Sequence, residues 1–102
     1  MTLLTKKIKE RAEAQYQKGS SMDQMVVAKF FHPCSDWTWY LMNKDPKDSY
    51  CWGIVDGFEV EMGSFDIDEL QNVVGPMGLG VERDRSWTPI PANDVWRILN
   101  ER

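Results

Sequence analysis

The chain reads as an α+β fold: a three- to four-stranded antiparallel sheet with an N-terminal helix, a short middle helix and a C-terminal helix. Three observations predict it. Leu4, Ile8, Ala12 and Tyr16 recur every four residues near the N-terminus, which is the period of one helix face. Three runs rich in β-branched and aromatic residues follow, MVVAKFF, WTWYLMN and YCWGIV, and their short connections favour an antiparallel meander. Two further helix-start signals lie beyond them. At 102 residues, 42% apolar and 12% aromatic, the chain has the length of one domain, residues 1–102, and the apolar content of a packed core.

The elements follow in order. A helix is predicted over 5–17, with Thr5 as N-cap and Lys18-Gly19-Ser20-Ser21 as its end. A strand is predicted over 25–31, stopped by Pro33, which has no donor for a ladder. A second strand covers 37–43, and the polar segment 44–49 turns into a third at 50–55, which can continue toward Val60. Asp66 followed by Glu69 forms a capping-box pattern for a short helix reaching about Val74. Gly75-Pro76 ends that helix, and Gly80–Arg83 reads as a short strand. Pro89 and Pro91 bracket an extended link. Asn93 or Asp94 is expected to cap the last helix, whose apolar face is Val95, Trp96, Ile98 and Leu99.

With Asn43 placed opposite Tyr50, Leu41 faces Trp52, Trp39 faces Ile54 and Met42 faces Cys51. Alternation then puts Trp37, Trp39, Leu41, Tyr50, Trp52 and Ile54 on one side of the sheet. Such a stripe is expected to be core, covered by the first and last helices. A base- or sugar-stacking platform is the sharper alternative. It is disfavoured because stacking platforms come with basic grooves, and the neighbouring block is acidic.

Charge is segregated along the chain. Residues 1–47 carry eight Lys/Arg and five Asp/Glu, residues 48–82 carry eight acids and no Lys or Arg, and residues 83–102 carry four Arg and three acids. Asp56, Glu59, Glu61, Asp66, Asp68 and Glu69 stand at the centre of the acid-only block. They are the candidate partner-binding surface, since a negative field attracts basic partners. The block lacks the spacing of a calcium loop, and GPMGLGVERD lacks the Gly-Lys-Ser/Thr ending of a phosphate loop. No metal, cofactor or catalytic residue is therefore assigned. His32, the only histidine, has no ligand set around it in sequence and is expected to be a partly exposed strand-end residue. Pairing it with Cys34 as a nucleophile would need a bent loop. Cys34 and Cys51 are too few for a disulfide scaffold and are expected to be free thiols. No apolar run approaches a membrane span, and the N-terminus soon turns charged, unlike a secretion signal. The expected compartment is the cytoplasm.

Three stretches, VVAKFFHPCSDWTWY, GIVDGFEVEMGSF and GPMGLGVERD, follow an N-terminal LLTK in that order. Over residues 2–91 the chain resembles a small uncharacterised bacterial family, a domain of unknown function typically encoded on plasmids, integrative elements and phages. The carrying motifs are K-F-F-x-P-x-S-x-W-T-W-Y and G-P-x-G-L-G-x-E-R-D. The segment 44–49 departs from the family in looking short. The resemblance implies genetic context and no catalytic residue. Together with the acid-only block it suggests a non-enzymatic binding protein of a mobile element or phage. Its acidic surface would act on a basic protein or nucleoprotein complex, for example as an inhibitor of host defence of the anti-CRISPR or anti-restriction type. The alternative is a small carboxylate-dependent hydrolase, with or without a divalent metal. Direct nucleic-acid binding through the basic helix 5–17 is disfavoured by the acidic remainder, and oligomeric state is left open.

Overall fold

The computed structural model describes residues 2–102. Helix α1 spans Lys6–Ala14. The strands are β1 Met25–Val26, β2 Ala28–Phe31, β3 Thr38–Lys44, β4 Tyr50–Asp56, β5 Val60–Asp66, β6 Glu82–Arg83 and β7 Ile90–Pro91, with α2 over Ile67–Asn72 and α3 over Ala92–Glu101. The architecture is α+β. The main sheet is antiparallel in the order β5-β4-β3-β2-β6, and β1 pairs with β7 in a separate two-stranded sheet. The main sheet thus has five strands, one more than the sequence suggested. The sequence lets the third strand continue toward Val60, yet the turn at 57–59 sends 60–66 back along β4 as a strand of its own. Its register runs from Tyr50 opposite Asp66 to Asp56 opposite Val60.

The predicted single strand over 25–31 is two. Val27 donates its N–H to the Leu41 carbonyl at 2.8 Å, and the chain changes sheets there. Thr5 caps α1, its hydroxyl accepting from the Ile8 amide at 3.1 Å. The last helix begins at Ala92, ahead of the expected Asn93 or Asp94 cap, and no side chain caps it. Pairing of β7 with β1 holds the chain extended through Pro91, and the Ala92 amide goes to the Gln24 carbonyl at 2.9 Å, so the helix starts at once.

The β3–β4 register differs from the expected one by a residue. Trp39 lies opposite Val55, Tyr40 opposite Ile54 and Leu41 opposite Gly53. The pairing then steps, with Asn43 opposite Trp52 and Lys44 opposite Cys51, leaving Met42 as an extra residue. A bulge of this kind changes which side chains share a face. Trp39 and Leu41 join a core with Leu3, Ala12, Phe30, Cys51, Ile67 and Leu70 under α1 and α2. Tyr40, Met42, Trp52 and Ile54 join a second core with Val26, Ala92, Val95 and Leu99 under α3 and β1. The aromatic stripe is therefore core, but shared between two faces. Phe30, Leu41, Met42 and Ile54 are fully buried, each contributing roughly 1.5–3 kcal/mol.

Gly53 is the residue that lets β3 come this close. A Cβ there would lie 2.0 Å from the Tyr40 carbonyl oxygen, whereas a Cβ at Gly63 would meet nothing within 4 Å. Gly53→Ala is expected to destabilise the protein by about 3 kcal/mol or more, because a backbone atom must shift. Gly63→Ala should stay within about 0.5 kcal/mol. Thermal unfolding of the two variants checks this: comparable melting temperatures would contradict the register.

Candidate functional site

The acid-rich segment is built on the β4–β5 hairpin and the first turn of α2. In the hairpin turn the Gly57 amide donates to the Glu59 carbonyl at 3.1 Å. Gly57 is required because the Trp37 ring lies against it, 2.5 Å from where a Cβ would be. Phe58 meets Trp37 edge-on with ring centres 5.4 Å apart, and Trp37 and Trp39 are tilted neighbours at 6.1 Å. Phe58 is 94% exposed, so the hairpin tip ends in an open aromatic ring set edge-on to Trp37.

The six candidate acids do not form one cluster. Glu59 is exposed in the turn. Glu61 is exposed on the edge strand opposite Val55, on the same face as Trp39 and Phe65. Asp56 points to the other face, is 8% exposed, and its Oδ1 accepts from Arg102 Nη2 at 2.8 Å. Asp66 is committed to capping α2. Its carboxylate accepts from Ser49 Oγ at 2.8 Å and from the amides of Asp68 and Glu69 at 2.8 and 3.1 Å. The Ser49 hydroxyl, then the Glu69 amide, hold its pKa below the ordinary 3.8. Asp68 and Glu69 are exposed in the first helical turn, where the helix dipole favours them.

What remains is a strip of four exposed acids, Glu59, Glu61, Asp68 and Glu69. Among the described residues no cationic group lies within 4.0 Å of any of them. The two pairs stand at opposite ends of β5, about 16 Å apart at strand rise. Among the described residues no three His, Cys, Asp or Glu are grouped to hold a metal ion.

His32 is buried at 8% exposure, contrary to the expected partly exposed position. Its Nδ1 accepts from the Cys34 amide at 3.1 Å. The Gly75 backbone closes over its Nε2 edge, where a Cβ would be only 2.4 Å away. The contact with Cys34 is thus through backbone, and the thiol is not engaged. Both cysteines are free, Cys34 exposed and Cys51 buried. Burial pushes the Cys51 thiol up to about 12.

Two polar cavities were not legible in the sequence. One, of about 530 Å³, is lined by Tyr16, Asn43, Asp45, Asp48, Tyr50 and Trp52. Tyr16 belongs to the predicted apolar stripe, but α1 ends at Ala14, and a following 3₁₀ turn, Tyr16–Lys18, redirects the ring. A hydrogen bond to Asp45 raises the Tyr16 pKa. The other, of about 800 Å³, contains Lys29, His32, Tyr40, Asp56 and Arg102. There the Tyr40 phenol is raised, first by burial and then by the Asp56 charge. The residues of both come from strands and loops that only the sheet brings together.

No curated protein and no solved structure matches the chain. A family model described as Protein of unknown function (DUF2958) matches residues 3–98.

Removing the cap with Asp66→Ala should lower the melting temperature at neutral pH. Because the native pKa is depressed, the cap's contribution is complete above the ordinary value of 3.8 and fades as pH falls through the native one. Melting curves of parent and variant should therefore converge in acid; a gap that is constant with pH would contradict the capping geometry. A thiol reagent should modify one cysteine in the native protein and two after denaturation, since an inaccessible thiol that high cannot form thiolate. Two fast-reacting native thiols would contradict the burial of Cys51.

Proposed function

We propose that this chain, which belongs to the DUF2958 family of proteins of unknown function, is a non-enzymatic binding protein that docks a basic partner through the acids of β5 and α2. The observation that carries the reading is the strip itself: Glu59, Glu61, Asp68 and Glu69 are exposed and have no cation within 4.0 Å among the described residues. Each acid has a local use. Glu61 discourages other strands from pairing with the open edge of the sheet, and Asp68 and Glu69 favour the start of α2. Glu59 and Glu61 leave a negative field beside Phe58, which is 94% exposed and can supply apolar contact at the hairpin tip. Such a field speeds and selects association with a basic surface. The partner in this reading is a basic protein or nucleoprotein complex, and in a mobile element or phage it would be a host defence complex of the anti-CRISPR or anti-restriction type.

The test uses a partner captured from a host with intact defence systems. The parent's association rate should fall with salt, since the Debye length shrinks from about 10 Å at 0.1 M to about 3 Å at 1 M. A folded Glu59→Lys/Glu61→Lys variant should associate about tenfold or more slowly at low salt. Equal rates for parent and variant would reduce the strip to a solvated edge and defeat the reading.

A further inference from the structure

A groove of about 460 Å³ runs between α1 and the segment 83–89, over a floor of Val27 and Ala28. Thr5, Lys7, Ile8 and Arg11 form the helix wall, and Arg83, Asp84, Arg85 and Trp87 belong to the opposite one. Four cationic side chains thus face one carboxylate, in a chain whose net charge is −4. Arg83 is an anchor, its Nη1 donating to the Thr2 and Leu3 carbonyls. Lys7, Arg11 and Arg85 are exposed, and among the described residues no carboxylate lies within 4.0 Å of them. The helix does make such pairs elsewhere, as Lys9 does with Glu13 at 3.9 Å.

Two physical features argue for an oxyanion chain as the occupant. Lys7 and Arg11 are like charges one helical turn apart, an arrangement that works against the helix and is relieved by an anion. The cationic wall also extends along the groove, with Lys7 and Arg11 about 6 Å apart on the helix axis, rather than converging on a point. A row of separated cations matches a row of phosphates better than it matches a single ion.

We infer that this groove binds the phosphodiester backbone of a single nucleic-acid strand, with Lys7, Arg11 and Arg85 as the phosphate contacts. The cations line a single groove in a row, which matches the phosphates of one strand. The fold sets Arg83 and Arg85 beside α1 and carries Glu59 and Glu61 to the β4–β5 hairpin, at the far edge of the sheet from β6. Binding is independent of base sequence and sensitive to salt. It gives the protein a second contact on a nucleoprotein target, separate from the acidic one.

Fluorescence anisotropy of the full chain with a labelled single-stranded oligonucleotide tests this. The expected dissociation constant lies in the range of about 10⁻⁴–10⁻⁶ M at physiological salt, and log affinity falls by about 0.7 per engaged phosphate for each unit of log salt. The triple variant Lys7→Gln/Arg11→Gln/Arg85→Gln should lose at least about tenfold in affinity and roughly two units of that slope. Should the triple variant not fold, Arg85→Gln alone, on an exposed turn, should lose about 0.7 of a unit. Glu59→Lys/Glu61→Lys should bind the strand no more weakly than the parent. Absence of binding at low salt, unchanged affinity and slope in the cation variants, or equal affinity for a duplex or for polyglutamate would each overturn the assignment.

Discussion

The fold depends on how one extra residue, Met42, is accommodated in β3. A bulge leaves backbone groups without ladder partners, and buried ones must be satisfied. Here the Gln15 side chain does it. Its Nε2 donates to the Met42 carbonyl at 2.7 Å and the Met25 carbonyl at 3.0 Å, while its Oε1 accepts from the Met25 amide at 2.8 Å. Next to it, buried Asn43 donates to Gln24 Oε1 and to the Gly19 carbonyl, both at 2.9 Å, and Gln24 donates to the Gly19 and Ser21 carbonyls. Two glutamines and an asparagine therefore tie the end of α1, the loop after it, β1 and β3 into one network. Removing one amide would strand the others' buried groups, which costs more than the bond it made.

The bulge also decides what lies above and below the sheet. Before it, Trp39 and Leu41 look toward α1 and α2; after it, Lys44 does, buried at 7% exposure. Its ammonium donates to the Asp45 and Asp48 carbonyls at 2.9 and 2.6 Å and stands 3.6 Å from Glu13 of α1. Burying an ammonium is tolerable only with such partners. The side chain thereby holds the short 45–49 loop against the first helix, and the loop in turn presents Ser49 to the Asp66 cap.

Charge follows the same division. The main sheet ends in β5 on one side and β6 on the other. Among the described residues Glu59 and Glu61 have no cation within 4.0 Å at the β5 edge, and Lys7, Arg11 and Arg85 have no carboxylate within 4.0 Å between α1 and the segment after β6; Asp68 of α2 shares a cavity with Lys9, Lys44 and Lys47. A net charge of −4 would by itself suggest a uniformly acidic surface. Separation of the two signs across the sheet lets one small molecule offer fields of both signs to a partner made of protein and nucleic acid.

Local chemistry determined much of what the sequence made legible. Thr5 and Asp66 are caps because their oxygens reach amides two or three residues on. The hairpin of β3 and β4 follows from β-branched and aromatic runs around a polar turn, and the aromatic stripe is core because so much apolar area must leave water. The resemblance to a domain of unknown function over residues 2–91 agrees with the family match over residues 3–98. Long-range pairing decided the rest. Register depends on a bulge that no residue type announces, so a shift of one residue redistributed Trp39 and Trp52 to opposite faces. The strand β5 hid in an acidic run, because an edge strand needs only one partner and tolerates an exposed Glu61 at its rim. His32 became buried only when Gly75, 43 positions further along the chain, closed over it. Asp56 left the acidic set because strand alternation turned it toward Arg102, and Arg85 joined Lys7 and Arg11 because β6 paired with β2. These are contacts between residues distant in sequence, and a linear reading carries no information on which distant segments meet until the whole sheet closes.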